Sequence, residues 1–127
     1  MLGLHYYIKT YGCQMNVRDS EAIACELENS GLKPTDSEKD ADVILFNTCS
    51  VRELAENKAT GKIGVMKKLK RKKPNLVIGV MGCMAQNKGA EIIQQLPHVD
   101  LVIGTDNLHR LSEAIARIIA GEGPLVL

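Results

Sequence analysis

The chain has 127 residues, a formal net charge of +1, 45% hydrophobic residues and 24% charged residues. That length supports one domain with its own core, and that composition excludes a disordered or fibrous chain. Near-neutrality also excludes binding of nucleic acid by bulk charge, although the charge is uneven: six of the seven residues from Lys67 to Lys73 are basic. The longest apolar stretches, such as Ile115 to Ala120 with Arg117 inside it, fall far short of a membrane span. No signal-peptide pattern opens the chain, so a cytoplasmic protein without a membrane partner is expected. That compartment keeps thiols reduced, which makes metal binding or redox chemistry a better use of four cysteines than structural disulfides.

In chain order, Tyr6 to Lys9 reads as a first strand, rich in aromatic and β-branched residues. A helix over residues 17–30 follows, burying Ile23, Ala24 and Leu27 and stopping at Gly31. Val43 to Phe46 is the next strand. Ser50 and Glu53 then form an S-x-x-E capping box ahead of Leu54, Ala55, Ala59, Ile63, Met66 and Leu69, which predicts a helix to about Lys72. Gly61 and Gly64 weaken its middle by roughly 1 kcal/mol each relative to alanine, and Pro74 forbids its continuation. Val77 to Met81 is a strand, residues 87–96 a short helix, and Leu101 to Ile103 another strand. Leu108, Leu111, Ile115, Ile118 and Ile119 form one apolar helical stripe, opened by Thr105 or Asp106 as N-cap. Strand and helix alternate throughout, which predicts an α/β three-layer sandwich with a parallel sheet, flavodoxin-like or Rossmann-like, over residues 1–120. The tail, residues 121–127, reads as the start of a linker to a further domain.

Three cysteines follow predicted strands. Cys13 lies four residues after Lys9, Cys49 three after Phe46 and Cys83 two after Met81. In open parallel sheets the loops at the carboxyl ends of the strands form the ligand crevice, so thiols distant in sequence can converge there. Each sits among small or turn-forming neighbours, and Cys49 precedes a helix start, whose dipole favours thiolate. Cys25 instead falls inside the first predicted helix and reads as a small buried hydrophobe. Spacing alone leaves two readings open, a metal site or three unrelated loop residues. Zinc fits poorly, because no close cysteine pair exists and His5, His98 and His109 supply none, whereas an iron-sulfur cluster accepts ligands from separate loops.

Tyr11-Gly12-Cys13-Gln14-Met15-Asn16, Asn47-Thr48-Cys49-Ser50-Val51-Arg52 and Gly82-Cys83-Met84-Ala85-Gln86 resemble, in that order, the three cysteine motifs of the amino-terminal domain of radical-SAM methylthiotransferases. The resemblance runs from about Tyr7 to Ile119. Gln14, Met15 and Asn16 are similar to the tRNA-modifying branch, since the ribosomal-protein branch typically has proline and lysine there. The resemblance implies that Cys13, Cys49 and Cys83 hold one auxiliary 4Fe-4S cluster used to convert an adenine C–H of tRNA to C–S–CH3. Three protein ligands leave one iron open to an exogenous sulfur species. Asn16, Asn47 and Gln86 flank the cysteines and are candidates for hydrogen bonds around the cluster, or equally for turn and helix caps.

The family also carries a C-x-x-x-C-x-x-C motif for a second 4Fe-4S cluster that cleaves S-adenosylmethionine, and this sequence has none. That chemistry is expected in a further domain, so this chain alone is expected to be inactive. tRNA and a sulfur donor are the expected partners, and a monomer is expected. A ribosomal-protein methylthiotransferase domain is the alternative within the family, and an iron-sulfur electron-transfer or cluster-carrier module the alternative from another class. The basic run with Lys62 suits tRNA phosphates through charge alone; offsetting the helix dipole on a solvated face is the preferred reading. One Phe and three Tyr do not make a base-stacking platform, and no G-x-G-x-x-G follows a strand.

Overall fold

The computed structural model describes residues 3–10, 14–48, 53–82 and 90–126. Its strands are β1 (His5–Thr10), β2 (Lys33–Pro34), β3 (Val43–Thr48), β4 (Val77–Gly82), β5 (Leu101–Ile103) and β6 (Leu125–Val126). Its helices are α1 (Gln14–Asn29), α2 (Glu53–Lys72), α3 (Ala90–Gln95) and α4 (Leu111–Ile119), with short 3-10 turns at Glu38–Asp40 and Thr105–Arg110. The strands form one all-parallel sheet in the order β2-β1-β3-β4-β5-β6.

Strand alternation explains the layers. Successive side chains of a strand point to opposite faces, and β3 divides accordingly: Val43 and Leu45 join one buried cluster, Ile44 and Phe46 the other. The first cluster also takes Ile23 and Leu27 of α1 and Leu111, Ala114 and Ile115 of α4. The second takes Ile63 and Met66 of α2 and Ile92 of α3. The sheet is therefore sandwiched between α1 and α4 on one face and α2 and α3 on the other, the expected three-layer α/β arrangement. Near-continuous apolar runs such as Val43–Phe46 are what a strand covered on both faces needs. Gly79 marks the tightest point of the first face: a Cβ there would lie 2.7 Å from Leu45 Cδ2 and 3.6 Å from Leu101 Cβ.

Two short strands escape the sequence reading. β2 pairs His5 with Lys33 and Tyr6 with Pro34. Pro34 is tolerated because this is an edge strand whose bonds to β1 come from its neighbours, Lys33 N–H to Leu4 O at 2.9 Å and Thr35 N–H to Tyr6 O at 2.9 Å. β6 pairs Leu101 with Leu125 and Val102 with Val126, so part of the tail read as a linker extends the sheet. Its connection is unusual in hand. The crossovers from β3 to β4 and from β4 to β5 move one way across the sheet with helices on one face, and that from β1 to β2 moves the other way with its helix on the opposite face. All three therefore share one hand, whereas the β5–α4–β6 crossover moves with the first pair but carries α4 on the second face, giving the opposite and rarely used hand.

Three helix expectations need adjustment. α1 starts at Gln14, ahead of the predicted residue 17. α4 starts at Leu111 with Arg110 as N-cap, because Thr105–Arg110, including Leu108, winds as a 3-10 turn and neither Thr105 nor Asp106 opens the α-helix. Cys25 is exposed rather than buried: the inner stripe of α1 runs through Ile23 and Leu27, and Cys25 projects away from it, 3.9 Å from Asn29 Nδ2. No described helix is long and apolar enough to cross a membrane.

Candidate functional site

The carboxyl ends of β1, β3 and β4 lie side by side. Thr10 pairs with Asn47, Asn47 with Met81, and Thr48 with Gly82. The chain leaves β1 into α1 on one face and β3 into α2 on the other, so the strand order reverses between β1 and β3. Such a switch point is where open α/β sheets form their ligand crevice.

Each cysteine motif continues one of these strand ends. Cys13, Cys49, Cys83 and Gln86 themselves lie outside the described residues, as does the Ser50 cap. Asn16 falls in the first turn of α1. Among the described residues, no group of three His, Cys, Asp or Glu side chains is arranged to hold a metal ion.

Asn47 is the described site candidate with full detail. It is the buried polar residue of β3, 0% exposed at the end of an apolar strand. A buried amide must be hydrogen-bonded to avoid a desolvation cost of about 1–3 kcal/mol. Its Nδ2 donates to Ser20 Oγ at 3.0 Å. Ser20 Oγ in turn shares a hydrogen bond with Thr10 Oγ1 at 2.7 Å. This relay fastens the ends of β1 and β3 to α1, directly before the segments that carry Cys13 and Cys49. Thr10 and Ser20 were missed by sequence reasoning, yet Ser20 had a signal: it stands three residues before Ile23 and seven before Leu27, a polar residue on the inner stripe of α1.

The amino-terminal edge of the sheet is built differently. Asp42 and Asp100 each stand one residue before a strand. Asp42 Oδ2 accepts from His5 N–H at 2.9 Å, and Asp42 N–H donates to His5 O at 2.8 Å. Asp100 Oδ2 accepts from Ile78 N–H at 3.1 Å and from Lys70 Nζ, which also donates to Leu76 O at 3.0 Å. A cavity of about 550 Å³ opens here, lined by Leu4, Asp42, Lys70, Leu76 and Asp100 among others. It lies at the edge opposite the cysteine motifs, and its charged groups are occupied in holding strands together. On the α1 face, Tyr6 is held above its ordinary pKa, first by burial and then by the charge and hydrogen bond of Glu28.

The family comparison agrees with the motifs. Residues 5–104 match the model of the uncharacterized protein family UPF0004. The chain is 54% identical over 113 residues to the tRNA-2-methylthio-N(6)-dimethylallyladenosine synthase of Akkermansia muciniphila, covering 89% of the chain and 25% of that protein. Its identity to the synthase of the same name from Cupriavidus necator is 55% over 112 residues, 87% of the chain and 25% of that protein. For that of Halalkalibacterium halodurans it is 48% over 126 residues, 98% of the chain and 23% of the relative. The chain thus spans about a quarter of the length of the curated relatives it matches. With its strands β1 to β5 inside the matched region and its motifs similar to those of the tRNA-modifying methylthiotransferases, the chain belongs to the UPF0004 family.

Proposed function

We propose that this chain is the amino-terminal domain of a radical-SAM tRNA methylthiotransferase, with Cys13, Cys49 and Cys83 as the three protein ligands of one 4Fe-4S cluster. The observation that carries the reading is the adjacency of β1, β3 and β4, whose carboxyl ends lead into those three cysteines. Cys49 is one residue beyond Thr48 and Cys83 one beyond Gly82, and Thr48 and Gly82 are register partners; Cys13 is three beyond Thr10. Neighbouring strands are about 4.8 Å apart and consecutive Cα atoms about 3.8 Å. Connectivity alone therefore limits how far the three thiols can separate, and thiolates are the donors that iron-sulfur clusters take.

Within this reading the chain's residues hold and orient. The Thr10–Ser20–Asn47 relay fastens the strand ends that lead into two ligand-bearing segments, while Asn16 and Gln86, each three residues after a cysteine in sequence, are candidates for hydrogen bonds around the cluster. When bound, the cluster supplies sulfur chemistry, with one iron open to an exogenous sulfur donor. The overall conversion is adenine C–H to C–S–CH3 on tRNA. S-adenosylmethionine cleavage and the second 4Fe-4S cluster belong to a radical-SAM domain separate from this sheet domain, whose last strand is β6. The same reading expects a monomeric cytoplasmic enzyme that is inactive without that domain.

Anaerobic reconstitution with iron and sulfide tests the assignment. About four irons and four sulfides per chain are expected, lost in Cys13→Ala, Cys49→Ala or Cys83→Ala and retained in Cys25→Ala. A reconstituted chain with no bound iron overturns it. A cluster whose spectrum ignores added sulfide supports the electron-carrier alternative instead.

A further inference from the structure

The basic run on α2 divides into two sets. Lys62 pairs with Glu38 at 3.0 Å, Lys70 pairs with Asp100, and Lys73 Nζ donates to the Lys39 and Ala41 carbonyls at 3.1 and 2.5 Å. These three side chains face the body of the protein, and Lys70 and Lys73 already place positive charge at the negative end of the helix dipole. Lys67, Lys68, Arg71 and Lys72 are exposed and make no ion pair among the described residues.

At 100° per residue, these four share one side of the helix with Gly61, Gly64 and Val65, the last 57% exposed. This side works against the helix that carries it. Lys67 with Arg71 and Lys68 with Lys72 are like-charge pairs at i,i+4, which disfavour a helix. Gly61 and Gly64 disfavour it too, and neither is needed for close packing, because a Cβ at either position meets nothing within 4 Å. Beside the stripe, Lys67, Lys70, Arg71, Pro74 and His98 line a concavity of about 340 Å³. His98 forms its floor through a hydrogen bond from Nε2 to the Ile63 carbonyl at 2.6 Å.

We propose that this side of α2 is a docking surface for the phosphodiester backbone of a structured RNA. The inference rests on the tRNA reading above and extends it to a surface. An unbalanced cluster of four long cations complements a polyanion. α2 begins just beyond the carboxyl end of β3, so the cluster lies about 20–30 Å along the helix from the cysteine edge at 1.5 Å per residue. A small anion cannot span that separation, whereas a folded RNA presenting one base at the sheet edge lays its backbone over it. The contact is to phosphates, so it positions the RNA without reading its sequence.

The test is anisotropy of a labelled, unmodified tRNA transcript titrated with the chain at several KCl concentrations. K67Q/K68Q/R71Q/K72Q is expected to weaken binding at least tenfold near ~100 mM salt and to lower the slope of log K against log salt by about three. K33Q/R117Q, on β2 and on α4 at the opposite face of the sheet, is expected to change binding less than about twofold. Unchanged affinity and slope in the quadruple variant, or an equal loss per charge in the control, overturns the proposal. So does binding of poly-glutamate, but not RNA, through the same four residues, which would assign the surface to an acidic protein. If circular dichroism shows the quadruple variant unfolded, Val65→Glu adds a negative charge at an exposed position of the same side; a several-fold loss supports the proposal and no loss overturns it. Iron counting on the same samples separates the two readings: a chain with a full cluster whose RNA binding ignores these residues loses only the docking surface, and one without iron that still binds RNA through them loses only the cluster.

Discussion

The two edges of the sheet are closed by different chemistry. At the amino-terminal edge, Asp42 and Asp100 bind strand N–H groups, Lys70 joins Asp100, and Lys73 caps two carbonyls. At the carboxyl-terminal edge, the described fastening is neutral, an amide and two hydroxyls in the Thr10–Ser20–Asn47 relay. The Asp42, Asp100, Lys70 and Lys73 contacts thus lie at the edge opposite the one where thiolates are proposed to gather. An ion pair beside such a site would compete for ligands or bias the cluster's charge, whereas neutral hydrogen bonds position the backbone without either effect.

That contrast is broken most forcefully at Asp100. Asp100→Ala removes the partner of a partly buried lysine and the acceptor of Ile78 N–H, and it should cost about 2–3 kcal/mol in thermal or denaturant unfolding. Asp100→Asn, which keeps an acceptor, should cost less. Because the lesion lies at the far edge, iron bound per folded chain after reconstitution should stay unchanged; a fall in iron would show that the two edges are not independent.

A smaller loss is expected at the other edge, with the opposite pattern. Ser20→Ala deprives Asn47 of an acceptor and Thr10 of its partner, for about 1–2 kcal/mol. Here the iron retained per folded chain should fall, and Ser20→Thr, which keeps the hydroxyl, should restore it. Full iron occupancy in Ser20→Ala would reduce the relay to a purely structural feature.

The smallest effect is a pH dependence on the α1 face. Tyr6 has its pKa raised in the folded state above the ordinary value of 10.0, by burial first and Glu28 second. The folded protein therefore holds this proton more tightly than the unfolded chain. Its contribution is complete below the unfolded pKa and is lost as pH rises through the raised folded value. Unfolding midpoints should decline above about pH 10, and Tyr6→Phe should flatten that decline.

The strands that matter most for the site were legible in local sequence. Tyr6–Lys9, Val43–Phe46 and Val77–Met81 are runs rich in aromatic and β-branched residues, and their placement in β1, β3 and β4 follows the expectation closely. β2 was invisible because two residues, one of them Pro34, carry no alternation to read. Cys25 misled because a cysteine's identity says little about which side of a helix it occupies; the stripe set by Ile23 and Leu27 does.

What the sequence by itself determined was everything carried by near neighbours: the alternation of strand and helix, the apolar faces, and the three cysteine motifs with their family resemblance. Tertiary structure decided that β1 lies between β2 and β3, that Asp100 meets Lys70, that Ser20 joins Asn47 to Thr10, and that Lys70 and Lys73 of the basic run are engaged while Lys67, Lys68, Arg71 and Lys72 make no ion pair among the described residues. The physical reason is range. Periodicity and capping act within a turn or a strand, whereas these partners lie 10 to 30 residues apart and meet only because helical crossovers fold the strands into one particular order.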